Sequence, residues 1–452
     1  MLPRVAAILC LAALTGCAGA GFNNRAFQDD YVEGRFDSAL EKLEAFSDED
    51  VSALLDQALI LQAQDRYVES NAAFEQAERL IEDLYTRSLS KETLALLTSD
   101  LALDYRASGF EHAYISYYRA WNYLELGQTD GVLVEARRIN ERLGFRSASC
   151  EEIGGACGHD VFLRYFSGLL FEWGGEINDA YVAYKQADIA AATTHELYGT
   201  PAPRDLGVRL VRLARRLGFS DQAAEFAEAY DVDVDAVAPS RSTVVFLWEN
   251  GLIGTREEVT VLIPIFKGET ESIAGDQDAW SHKLAERRHV SYEKVELDYL
   301  LRVSLPTFVD NPPVARRAEM WLGKHSQETQ EAAMLSAMAA GALDQAMAGI
   351  LVRAIGRGLV KYLASQAADD EIGEGAGLLV NLLGVVLENA DTRSWRSLPN
   401  QIQLATLPVR PGKYDGKLAV YGASDSGVIE EAEYETIEVP EDAVVFLRHR
   451  TP

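Results

Sequence analysis

Apolar residues recur at three-and-four spacing, with few prolines, from about residue 25 to residue 235, and this stretch reads as helical. An acidic, helix-poor segment, Asp231–Ser242, then marks a boundary. Beyond it the text changes to short β-branched and aromatic runs. Thr243–Glu249, Val259–Phe266, Val295–Leu305 and Ala315–Leu322 read as strands. Gln327–Ala367 returns to helical spacing in Ala, Met and Leu, and Gly377–Asn389 is a second, very apolar helix. Strands resume at Gln401–Val409, Lys417–Tyr421, Tyr434–Val439 and Val444–His449. The pattern predicts an α + (α+β) chain. A helical domain covers 25–235, and a β-sandwich-like domain covers 243–452 with a helical hairpin inserted at about 327–390.

Within the helical half, small and aromatic positions recur together, as in tetratricopeptide units, helix pairs of ~34 residues. One unit carries Ala58, a turn with Asp65 and Tyr67, then Phe74 and Ala77. Another has Ala120, Tyr123 and Gly127, and a third has Gly168, Phe171, Gly175, Ala180, Tyr184 and Ala187. Half-matches fall at Gly34, Phe36 and Ala39 and at Gly218 and Ala223. The register is not uniform. A tetratricopeptide-like solenoid is expected, a class that binds proteins or peptides on extended surfaces.

The first residues carry an address. Arg4 precedes a short apolar run, Val5–Leu14, which has the layout of a secretory signal and is too short to span a bilayer. Leu14-Thr15-Gly16-Cys17 resembles a bacterial lipobox, with 1–16 as the signal and 17–24 as a lipidated linker. Cys17 would carry the acyl chains, and chains together hold a soluble body firmly on a membrane. Ala18 stands where an Asp would resemble an inner-membrane retention signal, so the periplasmic side of the outer membrane is expected. Cys10 leaves with the signal. Cys150 and Cys157 remain, in a Gly-rich loop in an oxidising compartment, and a disulfide between them is predicted.

Charge and motifs narrow the chemistry. The formal net charge is −28, and a surface that acidic repels nucleic-acid backbones. The 48% hydrophobic content excludes wholesale disorder. There is no H-E-x-x-H and no phosphate-cradling G-x-x-x-x-G-K-[ST], and the 7 His form no metal pattern. No cofactor, metal or catalytic residue is assigned. A carboxylate pair hidden among 70 acidic residues keeps an envelope-remodelling enzyme as a third-ranked reading.

The C-terminal half carries Trp248-Glu249-Asn250-Gly251-Leu252 and the distinctive run Ala390-Asp391-Thr392-Arg393-Ser394-Trp395-Arg396-Ser397-Leu398-Pro399. Together with Glu135-Ala136-Arg137-Arg138-Ile139-Asn140, these resemble a family of bacterial envelope lipoproteins with tetratricopeptide repeats before a C-terminal module. The resemblance covers most of the mature chain. It implies an envelope location, a non-enzymatic scaffold and an association with peptidoglycan synthesis.

Two groups of residues invite binding. Arg393, Trp395 and Arg396 read either as a helix-to-strand corner, with Trp395 as a plug and Arg393 held by Asp391 or Glu388, or as a grip for a glycan or carboxylate. Arg353, Arg357 and Lys361 fall four apart on one helix face, with Ile350, Leu351, Ile355 and Leu359 opposite. They read as a solvated stripe or as a dock for an anionic surface. The expected function is an outer-membrane lipoprotein whose repeat domain binds another envelope protein, with a lipid or glycan carrier as the alternative. Cys17→Ala is expected to leave the chain soluble in the periplasm or unprocessed. Labelled palmitate incorporated equally by the mutant would contradict the lipobox reading.

Overall fold

The structure is a computed structural model that describes residues 24–46, 49–86, 105, 107–150, 158–238, 242–266, 297–372, 389–422 and 427–452. Cys17, Cys157 and most of Gly377–Asn389 lie outside the described residues, as does the Cys150 side chain. The described part is a mixed α and β chain, helical first and then largely strand.

The helical half is built from antiparallel pairs: α1 (Asn24–Val32) with α2 (Phe36–Leu43), α3 (Val51–Ala63) with α4 (Tyr67–Thr86), and α5 (Gly109–Glu125) with α6 (Thr129–Cys150). The array continues with α7 (Val161–Trp173) and α8 (Ile177–Tyr198), then α9 (Leu206–Arg216) and α10 (Ser220–Ala229). Each pair turns the same way. The middle residue of the connection is left-handed: Gly34, Asp65, Gly127, Gly175 and Gly218, with φ between 59° and 80°. The next amide closes back on the first helix, as in Arg66 N to Leu61 O at 2.9 Å, Gln128 N to Tyr123 O at 2.9 Å and Glu176 N to Phe171 O at 2.8 Å. These are Schellman-type stops, in which glycine avoids the Cβ clash of the left-handed region.

Small residues set the distance between helices. An ideal Cβ on Gly168 would stand 2.5 Å from the Tyr184 ring, one on Gly131 2.6 Å from Tyr123, and one on Gly207 2.3 Å from Tyr230. Ala58, Ala120, Ala180 and Ala187 are fully buried in the same core. The recurrence of small and aromatic positions along the sequence is therefore a packing rule.

The strands form two facing sheets. In the first, β1 (Ser242–Asn250) pairs in parallel with β10 (Val444–Thr451) and antiparallel with β7 (Gln401–Val409), which pairs with β6 (Gln330–Ala333). In the second, β4 (Ala315–Leu322) lies between β5 (His325–Glu328) and β8 (Gly412–Gly422), and β9 (Val428–Val439) closes the far side. Val244, Phe246 and Trp248 of β1 meet Met320, Leu322, Leu418 and Val420 across the sandwich. The alternate residues Val245 and Leu247 join the helical core. A single strand thus belongs to two cores, and the molecule has three layers: helices, first sheet, second sheet.

Apart from the sandwich stand a separate hairpin, β2 (Thr255–Phe266) with β3 (Leu297–Val309), which follows β1 in the chain, and α11 (Leu335–Ile372), a helix of 38 residues between β6 and β7. The helix expected from Gln327 begins at Leu335 instead. His325–Glu328 and Gln330–Ala333 are recruited as strands by β4 and β7, because ladder hydrogen bonds outweigh weak local propensity.

Gly168→Ala is expected to lower stability by about 1–3 kcal/mol through overpacking against Tyr184. Gly144→Ala, where nothing lies within 4 Å, is expected to be neutral or to stabilise by up to about 1 kcal/mol. Denaturant titration measures both.

Candidate interaction surfaces

Two first helices of the pairs, α5 and α7, carry the aromatics: Tyr114, Tyr117, Tyr118, Phe162 and Phe166 are fully buried, and Trp121 nearly so. What buries them is this chain's own β domain. Phe446 of β10 meets Trp121 at 5.8 Å and Phe166 at 6.0 Å between ring centroids. Tyr117 donates to the buried Glu249 of β1 at 3.2 Å, and Arg448 donates to Gln62 of α3 at 2.8 Å. Glu249 also faces Arg448 at 3.8 Å and Arg450 at 3.3 Å, so one carboxylate on β1 is balanced by two guanidiniums on β10. The Trp248–Leu252 run alternates accordingly: Trp248 faces the sandwich, Glu249 the helices.

The segment Asp391–Pro399 plugs the same face. Trp395 is fully buried, edge-on to Phe74 at 5.8 Å and to Tyr118 at 5.7 Å, and its ring nitrogen donates to Ser397 at 3.1 Å. Its backbone amide donates to Glu111 at 3.1 Å. Glu111 also accepts from Tyr105 at 2.7 Å, and burial beside this carboxylate pushes the Tyr105 phenol well up. Arg396 is buried too. Its Nε donates to Asp56 of α3 at 2.6 Å, and Ser397 gives Asp56 both its amide, at 2.9 Å, and its hydroxyl, at 2.7 Å. Burial pushes the Asp56 carboxyl up, against the pull of Arg396 and these donors. The Arg396 guanidinium also lies over the Phe27 and Phe46 rings at 5.3 and 4.8 Å. Gln28 of α1 completes the seam, donating to the carbonyls of Arg396 and Ile253.

Arg393 stands nearer the surface, held by Asp391 at 2.8 Å and facing Asp50 at 3.7 Å. Of the two readings of this run, the corner describes what its residues do, and its socket is the helical array. Trp395 and Arg396 are covered by the chain itself and present no face to a glycan. The Glu135-to-Asn140 run is explained similarly: Glu135 is buried, 3.3 Å from Arg119 and 2.9 Å from Arg138.

The cation stripe on α11 requires correction. Arg357 is fully buried, whereas Leu351, Val352 and Val360 are exposed. The face turned inward is Ala354, Arg357, Gly358 and Tyr362. A Cβ on Gly358 would stand 2.0 Å from Leu301 of β3, and the small residues let α11 lie directly on the hairpin, carrying Arg357 inside. Arg353 is partly buried, and the Lys361 side chain lies outside the described residues. No continuous row of solvated cations is formed by the described side chains.

Two other surfaces stand out. The middle of α11 is apolar and open. Its segment Leu335–Val360 is long and apolar enough to cross a membrane, yet only 28% of its most apolar window is buried. Its first turns belong to the folded body, since Leu335, Met338, Ala339 and Leu343 are in the core. On the outer sheet a groove of about 860 Å³ runs over Ala419 between Trp321 and Tyr421. Along it Lys417 pairs with Glu431 at 2.9 Å, and Arg317 stacks on the Tyr421 ring at 3.9 Å. Among the described residues no group of three or more His, Cys, Asp or Glu side chains is placed to hold a metal.

Removing one member of a buried ion pair strands the other charge. Asp56→Ala and Arg396→Ala are each expected to cost about 3–5 kcal/mol, and the apolar pair Asp56→Leu with Arg396→Met to cost much less than their sum. Denaturant unfolding of the set is the check, and single losses under about 1 kcal/mol would contradict the seam.

No protein-family model and no curated protein matches the chain. Among solved structures it is similar to MamA 41-end from Desulfovibrio magneticus RS-1, at 14% identity over 47% of this chain and 94% of that one, with a TM-score of 0.28. It is also similar to the MamA RS-1 ArsTM double mutant, at 15% identity over 46% of this chain and 89% of that one, with a TM-score of 0.28. A further crystal structure of MamA protein shares 11% identity over 45% of this chain and 85% of that one, again with a TM-score of 0.28.

Proposed function

We propose that the chain is an outer-membrane-anchored periplasmic lipoprotein that acts as a non-catalytic, protein-binding scaffold in cell-envelope assembly, with peptidoglycan synthesis as the setting. The address rests on the signal-like run and Leu14-Thr15-Gly16-Cys17. The tetratricopeptide-like reading of the helical half is supported by its repeated left-handed turns and its small–aromatic contacts. A scaffold of this build does not offer the aromatic face of its first helices to a partner, because the β domain fills it.

The observation that carries the scaffold reading is the open apolar middle of α11. Val352 is 72% exposed on a helix whose first turns pack among the helices and whose Ala354 and Tyr362 pack on the hairpin. An exposed apolar stretch between two packed ones is suited to docking against another protein. Its hydropathy also favours the alternative, a lipid-binding or carrier lipoprotein.

Site-specific photo-crosslinking in living cells tests this. A crosslinker at Val352 is expected to trap one envelope protein as a discrete adduct. The same group at Val68 of α4, 65% exposed, is expected to trap none. Adducts of Val352 confined to phospholipid would transfer the reading to the lipid-binding alternative, and equal labelling at both positions would overturn the α11 surface.

A further inference from the structure

A pocket of about 390 Å³ lies where the helical array, β2 and α11 meet. Its position and size are those of small-molecule sites, which favour junctions between structural units and volumes of about 300–1,000 Å³. One side is apolar: Phe110 from α5, Leu143 from α6, Tyr198 from α8, and Met338 and Ala342 from α11. The other is polar and comes from three separate elements, Ser108 at the start of α5, His159 and Asp160 at the start of α7, and Arg256 of β2.

The charges at the polar side differ in how far they are satisfied. Asp160 is nearly buried, and its carboxylate caps α7 by accepting from the Leu163 amide at 2.8 Å. Burial raises its pKa to about 6. It is committed to the protein. Among the described residues Arg256, partly buried, donates once, from Nη1 to the Arg393 carbonyl at 3.2 Å, and makes no ion pair. A guanidinium carries five donors, and a partly buried one calls for an anion. The start of α5 lines the same pocket through Ser108, Gly109 and Phe110, with its N-terminus already capped by the Glu111 carboxylate, which accepts from the Ser108 amide at 2.6 Å, so Arg256 is the group left to meet an anion.

We propose that this pocket binds a single-chain amphipathic anion, an acyl chain ending in a carboxylate, with the chain along Phe110, Leu143, Met338 and Ala342 and the head on Arg256. The volume suits one chain rather than a diacyl lipid. The pocket joins the helical array to the root of α11, so an occupant would bind both at once. The inference does not depend on what docks on the exposed middle of α11.

Isothermal titration of the mature, full-length chain with laurate tests it, with lauryl alcohol, laurylamine and inorganic phosphate as comparisons. One laurate per chain is expected. The alcohol and the amine are expected to bind at least tenfold more weakly, and phosphate alone not measurably. Arg256→Gln should weaken laurate at least tenfold and bring it level with the alcohol. Ala342→Trp, which fills the apolar side, should abolish binding at an unchanged far-ultraviolet circular dichroism spectrum. Ala346→Trp, at the pocket rim, serves as a second filling variant should the first not fold. Absence of laurate binding, amine binding as tight as laurate, or indifference to Arg256→Gln and both Trp variants would overturn the proposal.

Discussion

Burying Asp56 and Arg396 together, out of water, is the constraint on which the arrangement depends. Neither charge is tolerable alone in that setting, and each is supplied by a different half of the chain. The pair is therefore satisfied only when the helical array and the 390–400 segment are docked. Around it lie neutral contacts that need the same alignment: the Trp395 ring against Phe74 and Tyr118, the Ser397 donors on Asp56, and Gln28 on two carbonyls of the β half. The apolar contacts supply the bulk of the attraction, and the charges fix a single register.

The same logic runs through β1. A strand at the surface of a sandwich would alternate apolar and polar residues. Every residue of β1 is buried, because one face closes the sandwich and the other receives the first helices. Glu249 is the one charge on that strand, and Arg448, Arg450 and the Tyr117 hydroxyl balance it. The consequence for function is negative for one surface and positive for others. The aromatic face of the array is spent on holding the chain together, and the middle of α11 is an apolar surface left open among the described residues.

How much of this could be read beforehand follows from the range of the interactions. The turns were legible, since a left-handed stop needs Gly or Asp and those residues stand at Gly34, Asp65, Gly127, Gly175 and Gly218. The small–aromatic spacing of Gly168 and Tyr184 was legible for a similarly local reason. The Asp391–Pro399 run was legible as a corner with Arg393 on Asp391, a contact two residues long. Its socket was not, because Asp56 lies 340 residues from Arg396 and one acid among many carries no mark of its partner. The α11 stripe misled for a different reason. Charge spacing predicts which residues share a face but not which face is inward, and Ala354 and Gly358 decided that by allowing close approach to β3. The pocket at Arg256 left no sequence signal, since its walls come from elements scattered along the chain.

A seam built on Asp56 and Arg396 makes the two halves unfold as one cooperative body. Native-state hydrogen exchange followed by mass spectrometry tests it most directly, comparing amides of α3, α5 and α7 with those of β1 and β10 as denaturant rises. All five elements are expected to merge into one unfolding free energy, and to separate into two in Arg396→Ala. Two distinct free energies in the unaltered protein, one for the helices and one for the strands, would contradict it.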